Sequence, residues 1–439
     1  MNENSDKASE EQLKLITEKV NKVGIFRDDY LLNHPIEEAN LKEERVRTLV
    51  EKTLDELKEY ETLFGNDPLF LLEKGKLLNK HPEISDECEK VLTKVVKLRP
   101  EIVEGWSELG ECLFKLRKFD VSMTCFQKAV EKDLTHTPSL RHYSMLLRQV
   151  KYKEPEDKDK AIRESIDWAK RAVARDVKDG FSWLTLANAY TAMFFATLDN
   201  DQILKQIFTA YEKAAADDRT VMCPDLHYNK GSILMYEERF QEAVDSFNQA
   251  VRLEPSWQQA EVNAKNIVTY VDTISEFLGK KGKLKQRQID KIMKSFKLST
   301  DLGEYSKNIT TPAGETIKLK YQKFNELNVG RNENIVIMGK VISTIANENF
   351  LNFTACLIDE NGDCICVTIY NRKMSWGPKI GDSVAIPDPF VSEISLKTND
   401  KEYNYRNIRV DCPLILLVNG RKVGRENYLS SSISFDVKD

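Results

Sequence analysis

The residues in this chain whose types and spacing bear on chemistry are charges, and the densest group is cationic. Residues 280–294, KKGKLKQRQIDKIMK, carry Lys280, Lys281, Lys283, Lys285, Arg287, Lys291 and Lys294 against a single acid, Asp290. Charges this dense repel one another unless an anion neutralises them. The whole chain has a net charge of -5, so a lone cationic stripe on it is steered toward phosphate. RNA fits better than a membrane surface, because no apolar face accompanies the basic start of the stretch. The plain alternative is a solvated linker.

Nucleophilic and metal chemistry find little support. The five histidines, His34, His81, His136, His142 and His227, stand near no nucleophile motif, and no G-x-S-x-G, P-loop, H-E-x-x-H or post-strand G-x-G-x-x-G occurs. Of the eight cysteines only Cys364 and Cys366 lie close together. A zinc site needs more ligands than that pair, so the cysteines read as small buried hydrophobes in a reducing compartment. No enzyme, no metal and no cofactor is expected. No apolar run approaches the length of a membrane span, and MNENSDKASEEQ lacks the basic start and apolar centre of a secretory signal. No membrane association is expected.

The elements that position the charges are repeated. Offsets of 9, 12, 16, 19 and 24 from Gly231 reach Phe240, Ala243, Phe247, Ala250 and Pro255. The same offsets from Gly110 reach Phe119, Ser122, Phe126, Ala129 and Leu134, and Trp106 lies four before its glycine. This is the layout of the tetratricopeptide repeat, a helix–turn–helix of about 34 residues. Glycine inside a helix costs roughly 1 kcal/mol against alanine. One kept there implies that the second helix comes very close, with Phe126 filling the gap. Copies start near Pro68, Val103, Thr137, Gly180 and Pro224, the third interrupted by KYKEPEDKDK (151–160), read as an inserted loop, and the fourth by about eight residues. Leu13 to Val23 and residues 36–64 add an earlier hairpin, and residues 257–277 read as a solvent-facing capping helix.

Past residue 300 the period changes. TIKLKYQKF, NIVIMGKVIST, FTACLIDENGDCICVTIYN, DSVAIPDPF, NYRNIRV and PLILLVNGR alternate as strands do, with a hairpin about Asn361-Gly362. Five to six strands in this span suit an OB-fold, with another small β-barrel as the alternative. The expected architecture is α + β in two domains: an α-solenoid of tetratricopeptide repeats followed by a small OB-fold-like β-barrel. The divisions are a polar tail (1–12), the superhelix (13–279), a basic joint and linker (280–315), the barrel (316–430) and a tail (431–439). Phe353, Tyr370, Trp376 and Phe390 could stack on bases, but suit core or interdomain contacts better.

Helix-A positions 2, 5, 9 and 12 of such repeats face the inner groove. They place Arg148 at position 12 of the copy from Thr137, and Asp225 at position 2 of the copy from Pro224, followed by Tyr228 and Ser232. Arg148 suits a ligand carboxylate and Asp225 a ligand arginine; unliganded surface charges are the alternative. Chaperone-binding members of this repeat class need lysine at position 5 and asparagines at 9 and at 6 of the next copy. Asn188 and Asn229 fit, whereas position 5 is Leu184.

FRDDY, MLLRQ (145–149), PDLH (224–227), KGKLK (281–285), SWGPKIGDSVAIPDP (375–389) and LLVNGR (416–421) follow in that order over nearly the whole chain. Together they resemble the family of tetratricopeptide repeat protein five, also called Strap, the stress-responsive activator of an acetyltransferase coactivator. The resemblance implies a cytoplasmic and nuclear adaptor. In the cytosol it reads the N-terminal Met-Arg-Glu motif of nascent tubulin on ribosomes, touching protein and rRNA near the exit tunnel. It then recruits an mRNA-decay factor, so that tubulin autoregulates its own message. In the nucleus it scaffolds an acetyltransferase coactivator in stress responses and binds an actin-nucleating cofactor. The family's groove residues correspond to Arg148 and Asp225, and its ribosome-facing cations to Lys285 and Arg287. A groove glutamate is expected just after Trp257, where Gln258 and Gln259 stand instead, with Glu261 nearby.

Overall fold

A computed structural model describes residues 2–197, 201–282, 284–310, 316–345 and 350–429. Helix A of the five repeats begins at Pro68, Val103, Thr137, Gly180 and Pro224. The first start shows the local reason. The Asp67 carboxylate accepts from the backbone N–H of Leu69 and Phe70 at 2.8 and 3.1 Å, and Pro68 fills the position that needs no N–H.

The glycines mark where helices meet. A Cβ on Gly75 would lie 2.3 Å from Leu92 Cδ2, and one on Gly110 2.8 Å from the Phe126 ring. Ser122 Oγ donates to Gly110 O at 2.7 Å across the same contact. The large residue near the start of helix A serves a backbone contact as well as packing. Trp106 Nε1 donates to Pro100 O at 2.8 Å and Trp183 Nε1 to Val177 O at 2.9 Å, while His227 Nε2 sits 2.8 Å from Val221 O. Each reaches back six residues, so His227 does the work of a tryptophan.

Two expectations are corrected, and one insertion is placed. The insertion at 151–160 is half helix: helix B of the third repeat starts at Pro155 and runs to Arg175, with Pro155 at its first turn and Glu156 and Asp157 beside its positive end. Helix A of the fourth repeat absorbs extra residues likewise, running Gly180–Thr197. The capping helix, Gln258–Gly279, buries Ala264, Ile267, Tyr270, Val271, Ile274 and Phe277 and is no solvent-facing end. Its periodicity shows an apolar face but not what covers it.

The chain forms two compact units. One is the chain up to residue 230 with residues 249–258; the other joins residues 231–248 to the chain from 259 through the barrel. In the first, the helices Asn2–Asp28 and Lys42–Leu57 pack on the first repeat through Ile16, Val20, Val46, Val50, Leu57, Phe70 and Leu77.

In the second unit the barrel strands are β1 (Ile335–Ile345), β2 (Phe353–Ile358), β3 (Cys364–Ile369), β4 (Ser383–Pro387), β5 (Phe390–Lys397) and β6 (Glu402–Val410). β1 pairs antiparallel with β2 and β4, β2 with β3, and β5 with β6; β3 and β6 run parallel, Cys366 opposite Asn407. β4 and β5 are one run bent at Asp388, whose φ is +43°, and this bend closes the barrel. The β2–β3 turn is held by Asp359, whose Oδ1 accepts from Asn361 N and Asp363 N at 2.9 Å, while Gly362 supplies the φ of +84° that the turn needs. Ile337, Val341, Leu357, Val367, Ile386, Val391 and Ile408 fill the interior. TIKLKYQKF forms two short strands, Thr316–Lys318 and Lys320–Tyr321. Among the described residues no helix is long and apolar enough to cross a membrane.

Candidate peptide trough, basic joint and covered barrel face

Arg148 lies in the last turn of helix A of the third repeat and is half-buried. Its Nη1 donates to Ser144 O and Oγ at 3.0 Å each. Among the described residues no carboxylate pairs with it, and burial pulls the guanidinium down to about 10, with the Tyr211 hydroxyl in electrostatic reach. A desolvated cation without a counterion gains from any ligand carboxylate that reaches it.

A second group of polar side chains joins the fourth and fifth repeats. Tyr211 OH donates to Asn188 Oδ1 at 2.9 Å, and Asn229 Nδ2 donates to the same oxygen at 3.4 Å. Both donors fix the half-buried Asn188 carboxamide with its oxygen occupied, leaving its amino group as the side available to a ligand. Asp225 is half-buried in the first turn of the fifth repeat, where Cys223 Sγ approaches Oδ2 at 3.5 Å. Burial pushes the Cys223 thiol up to about 12. Tyr228 is buried and stacked on Trp257 at 4.4 Å, so it supports the wall more than it presents a surface. Glu261 is exposed at the start of the capping helix and pairs with Lys265 at 2.5 Å.

Helix A of the second repeat adds two carboxylates that sequence reasoning passed over, Glu108 and Glu111. Burial and the neighbouring Glu111 raise Glu108, which accepts from Asn79 Nδ2 at 2.8 Å. Burial also opposes the charge on Glu111, but Lys115 at 2.8 Å, His142 and Arg27 outweigh it and hold Glu111 well below the usual range. The signal was available: Glu111 occupies position 9 of its repeat. Arg27, which acts on it through space and pairs directly with Asp28 at 2.7 Å, lies outside any repeat.

Of the joint residues, Lys281, Lys285 and Arg287 are exposed, and Lys283 lies outside the described residues. Lys285 caps the helix Gln286–Lys294, its N–H donating to Gln288 Oε1 at 3.0 Å. That helix turns Ile289 inward and leaves Arg287, Lys291 and Lys294 on an exposed stripe. Its one acid, Asp290, accepts from Gln286 Nε2 at 2.8 Å and forms no ion pair among the described residues. Lys281 sits beside the β2–β3 turn, its Nζ 3.4 Å from where a Cβ on Gly362 would be. Replacing Lys285 and Arg287 with glutamate is expected to weaken binding to ribosomes or RNA several-fold and to lower the slope of log affinity against log salt by about 2. A salt titration measures both, and an unchanged slope rejects this contact.

The barrel face formed by β2, β3 and β6 is covered from within its own unit. Tyr270 of the capping helix stacks on Phe350 at 4.2 Å and its hydroxyl meets Thr354 Oγ1 at 2.6 Å. Asp272 takes Lys401 and Tyr403 at 2.9 Å each. Glu238, in the turn after helix A of the fifth repeat, is buried: Thr368 Oγ1 (2.7 Å) and Tyr370 OH (3.0 Å) donate to Oε1, and Asn407 Nδ2 (2.7 Å) to Oε2. Arg409 stacks over Tyr370 at 4.1 Å. In OB-folds this is the face that takes oligonucleotides, so Tyr370 has no ring face free for a base. Phe353 and Trp376 pack against the barrel core, and of the four aromatics only Phe390 is exposed.

A family model described as "Tetratricopeptide repeat protein 5 OB fold domain" matches residues 318–432, and one described as "Tetratricopeptide repeat" matches 224–257. The chain is 34% identical to tetratricopeptide repeat protein 5 of Homo sapiens over 434 residues, covering 97% of this chain and 98% of that protein. The Mus musculus protein matches at the same level, and the Bos taurus protein is 33% identical over 97% of this chain and 96% of its own length. With a repeat solenoid and an OB-type barrel in one chain, the protein is a protein-binding adaptor that belongs to the tetratricopeptide repeat protein 5 family.

Proposed function

We propose that the trough binds the N-terminal Met-Arg-Glu motif of nascent tubulin on the ribosome, and that the bound adaptor recruits an mRNA-decay factor to the tubulin message. The observation that carries this reading is the half-buried Arg148 guanidinium, which no carboxylate satisfies among the described residues. The ligand glutamate fits Arg148 and the ligand arginine fits Asp225, and the stripe Lys285, Arg287, Lys291 and Lys294 offers charge to rRNA phosphates. The site of this activity is the cytosol. A nuclear role, scaffolding an acetyltransferase coactivator or an actin-nucleating cofactor, uses protein contacts, because the barrel's nucleic-acid face is covered.

Arg148→Ala is expected to weaken binding of a Met-Arg-Glu peptide by about 10- to 100-fold, as loss of a charge-assisted pair implies. Fluorescence anisotropy with the wild type alongside measures it, and Arg148→Lys should restore only part, since lysine lacks the planar fork. Equal affinity of wild type and Arg148→Ala removes Arg148 from the site.

A further inference from the structure

Within the second unit, the cationic stretch is held to the barrel at both of its ends. At its start, a Cβ on Gly282 would lie 2.9 Å from Ile342 O, so the chain there lies directly on β1. At its finish, the helix Gln286–Lys294 leads within two residues into a segment, residues 296–306, that packs on β1 and β4. Leu302 and Tyr305 are buried there with Val336, Met338, Ala385 and Leu417. Asp301 is buried as well. Lys340 Nζ lies 3.4 Å from its Oδ2, Ser383 Oγ donates to its Oδ1 at 3.0 Å, and the Lys297 N–H donates to Oδ2 at 3.0 Å. Two glycines make the closest approach. A Cβ on Gly303 would lie 2.4 Å from Gly420 O, and one on Gly420 would lie 2.3 Å from Thr300 O. Neither position takes a larger residue unless the backbone opposite it moves.

These contacts bring three segments together: residues 296–306, the loop 378–382 before β4, and the turn 419–422. Asn419 ties the last two, its Nδ2 donating to Asp382 Oδ1 at 2.8 Å and its Oδ1 accepting from Ser383 N at 3.0 Å. The acids of these segments are engaged. Asp301 pairs with Lys340, Glu304 pairs with Lys422 at 2.8 Å, and Asp382 accepts from Asn419 and from the Lys379 N–H at 2.7 Å. Lys297, Lys379 and Arg421, one from each segment, are exposed and form no ion pair among the described residues. Cations without counterions attract a polyanion. They belong to the β1 and β4 side of the barrel, not to the covered face of β2, β3 and β6.

We propose that residues 296–306 clamp the cationic helix to the barrel, so that Lys297, Lys379 and Arg421 extend its stripe into one rigid surface for an RNA phosphate backbone. The proposal rests on the rRNA contact proposed above and adds the barrel to it. A stripe on a loose linker loses freedom when it binds, which opposes binding. A clamped stripe presents both sets of charges at fixed spacing to a backbone whose own charges are regularly spaced.

The test titrates the full chain with salt against a fluorescent duplex RNA and against purified ribosomes. Lys379→Glu with Arg421→Glu is expected to weaken binding several-fold and to lower the slope of log affinity against log salt by about 2. Joined to Lys285→Glu and Arg287→Glu, the fall should be about 4. Gly420→Val loosens the clamp and alters no charge. Amide hydrogen exchange of residues 286–302 should then quicken at least about tenfold, and the slope should fall by about 2, because the two sets of cations no longer engage one backbone together. Asp301→Asn, which leaves Lys340 without its carboxylate, gives the same comparison where circular dichroism shows that Gly420→Val has not folded. A slope that stays put in Lys379→Glu with Arg421→Glu, while Lys285→Glu with Arg287→Glu lowers it, ends the surface at the helix and overturns the proposal. Wild-type exchange in both clamp variants, or faster exchange with the full slope retained, shows that clamping does not make the surface. If no charge reversal moves the slope, the rRNA contact itself fails and this extension falls with it.

Discussion

Glu238→Ala is expected to destabilise the second unit by about 3–5 kcal/mol, the cost of removing one partner from a buried charged network. Three donors lose their acceptor at once: Thr368, Tyr370 and Asn407. Arg409, stacked on Tyr370 and bonded to Tyr236 O at 2.7 Å, loses a neighbouring negative charge. Water cannot readily replace the carboxylate, because Thr368, Tyr370 and Asn407 are themselves buried. Two further variants separate the contributions. Glu238 has a φ of +60°, strained for any residue with a Cβ. Glu238→Gly removes that strain together with the carboxylate, and should be less damaging than the alanine by up to about 1 kcal/mol. Glu238→Gln keeps the shape but turns one acceptor into a donor facing Asn407, and should fall between. Urea denaturation followed by fluorescence of the barrel unit measures all three. A cost under about 1 kcal/mol for Glu238→Ala shows that the network contributes little to holding the last helical turn on the barrel.

Phe126→Ala is expected to cost about 3–5 kcal/mol, the range for deleting a buried phenyl ring. Phe126 is fully buried, fills the space above Gly110 and stacks on His142 at 4.8 Å. The same contact viewed from the other side predicts a loss for Gly110→Ala. The added methyl lands 2.8 Å from the ring, and the overpacking cost of about 1–3 kcal/mol exceeds the roughly 1 kcal/mol gained in helix propensity. Combining the two should recover much of the loss, since the methyl then enters the cavity left by the ring. Thermal and urea unfolding of the two single variants and the double variant measure the coupling. Strict additivity would mean that the ring and the glycine do not share one space.

The repeats were legible because they are a local code. A small residue facing a large one fixes the approach of two helices that are neighbours in sequence, so Gly75, Gly110 and Gly231 disclose their partners Leu92, Phe126 and Phe247 by spacing alone. The strand alternation and the Asn361-Gly362 turn are local in the same way. The places of Arg148 in the last turn and Asp225 in the first turn of their helices followed from helix-A register, which each repeat inherits from its own packing.

What the sequence could not supply was the surroundings of those groups. No periodicity says that Arg148 has no carboxylate partner among the described residues, that Glu111 feels the charge of Arg27, or that Asp290 accepts from Gln286. The covering of β2, β3 and β6 by Tyr270 and Glu238 joins residues 84 and 130 positions apart, respectively, in the chain. An amphipathic helix declares that it has an apolar face and is silent about what meets it. Sequence by itself determined which helices and strands form, because their free energy is decided within a few residues. Tertiary structure alone decided which charges lose water and which faces are closed, because desolvation depends on everything within reach, however distant along the chain.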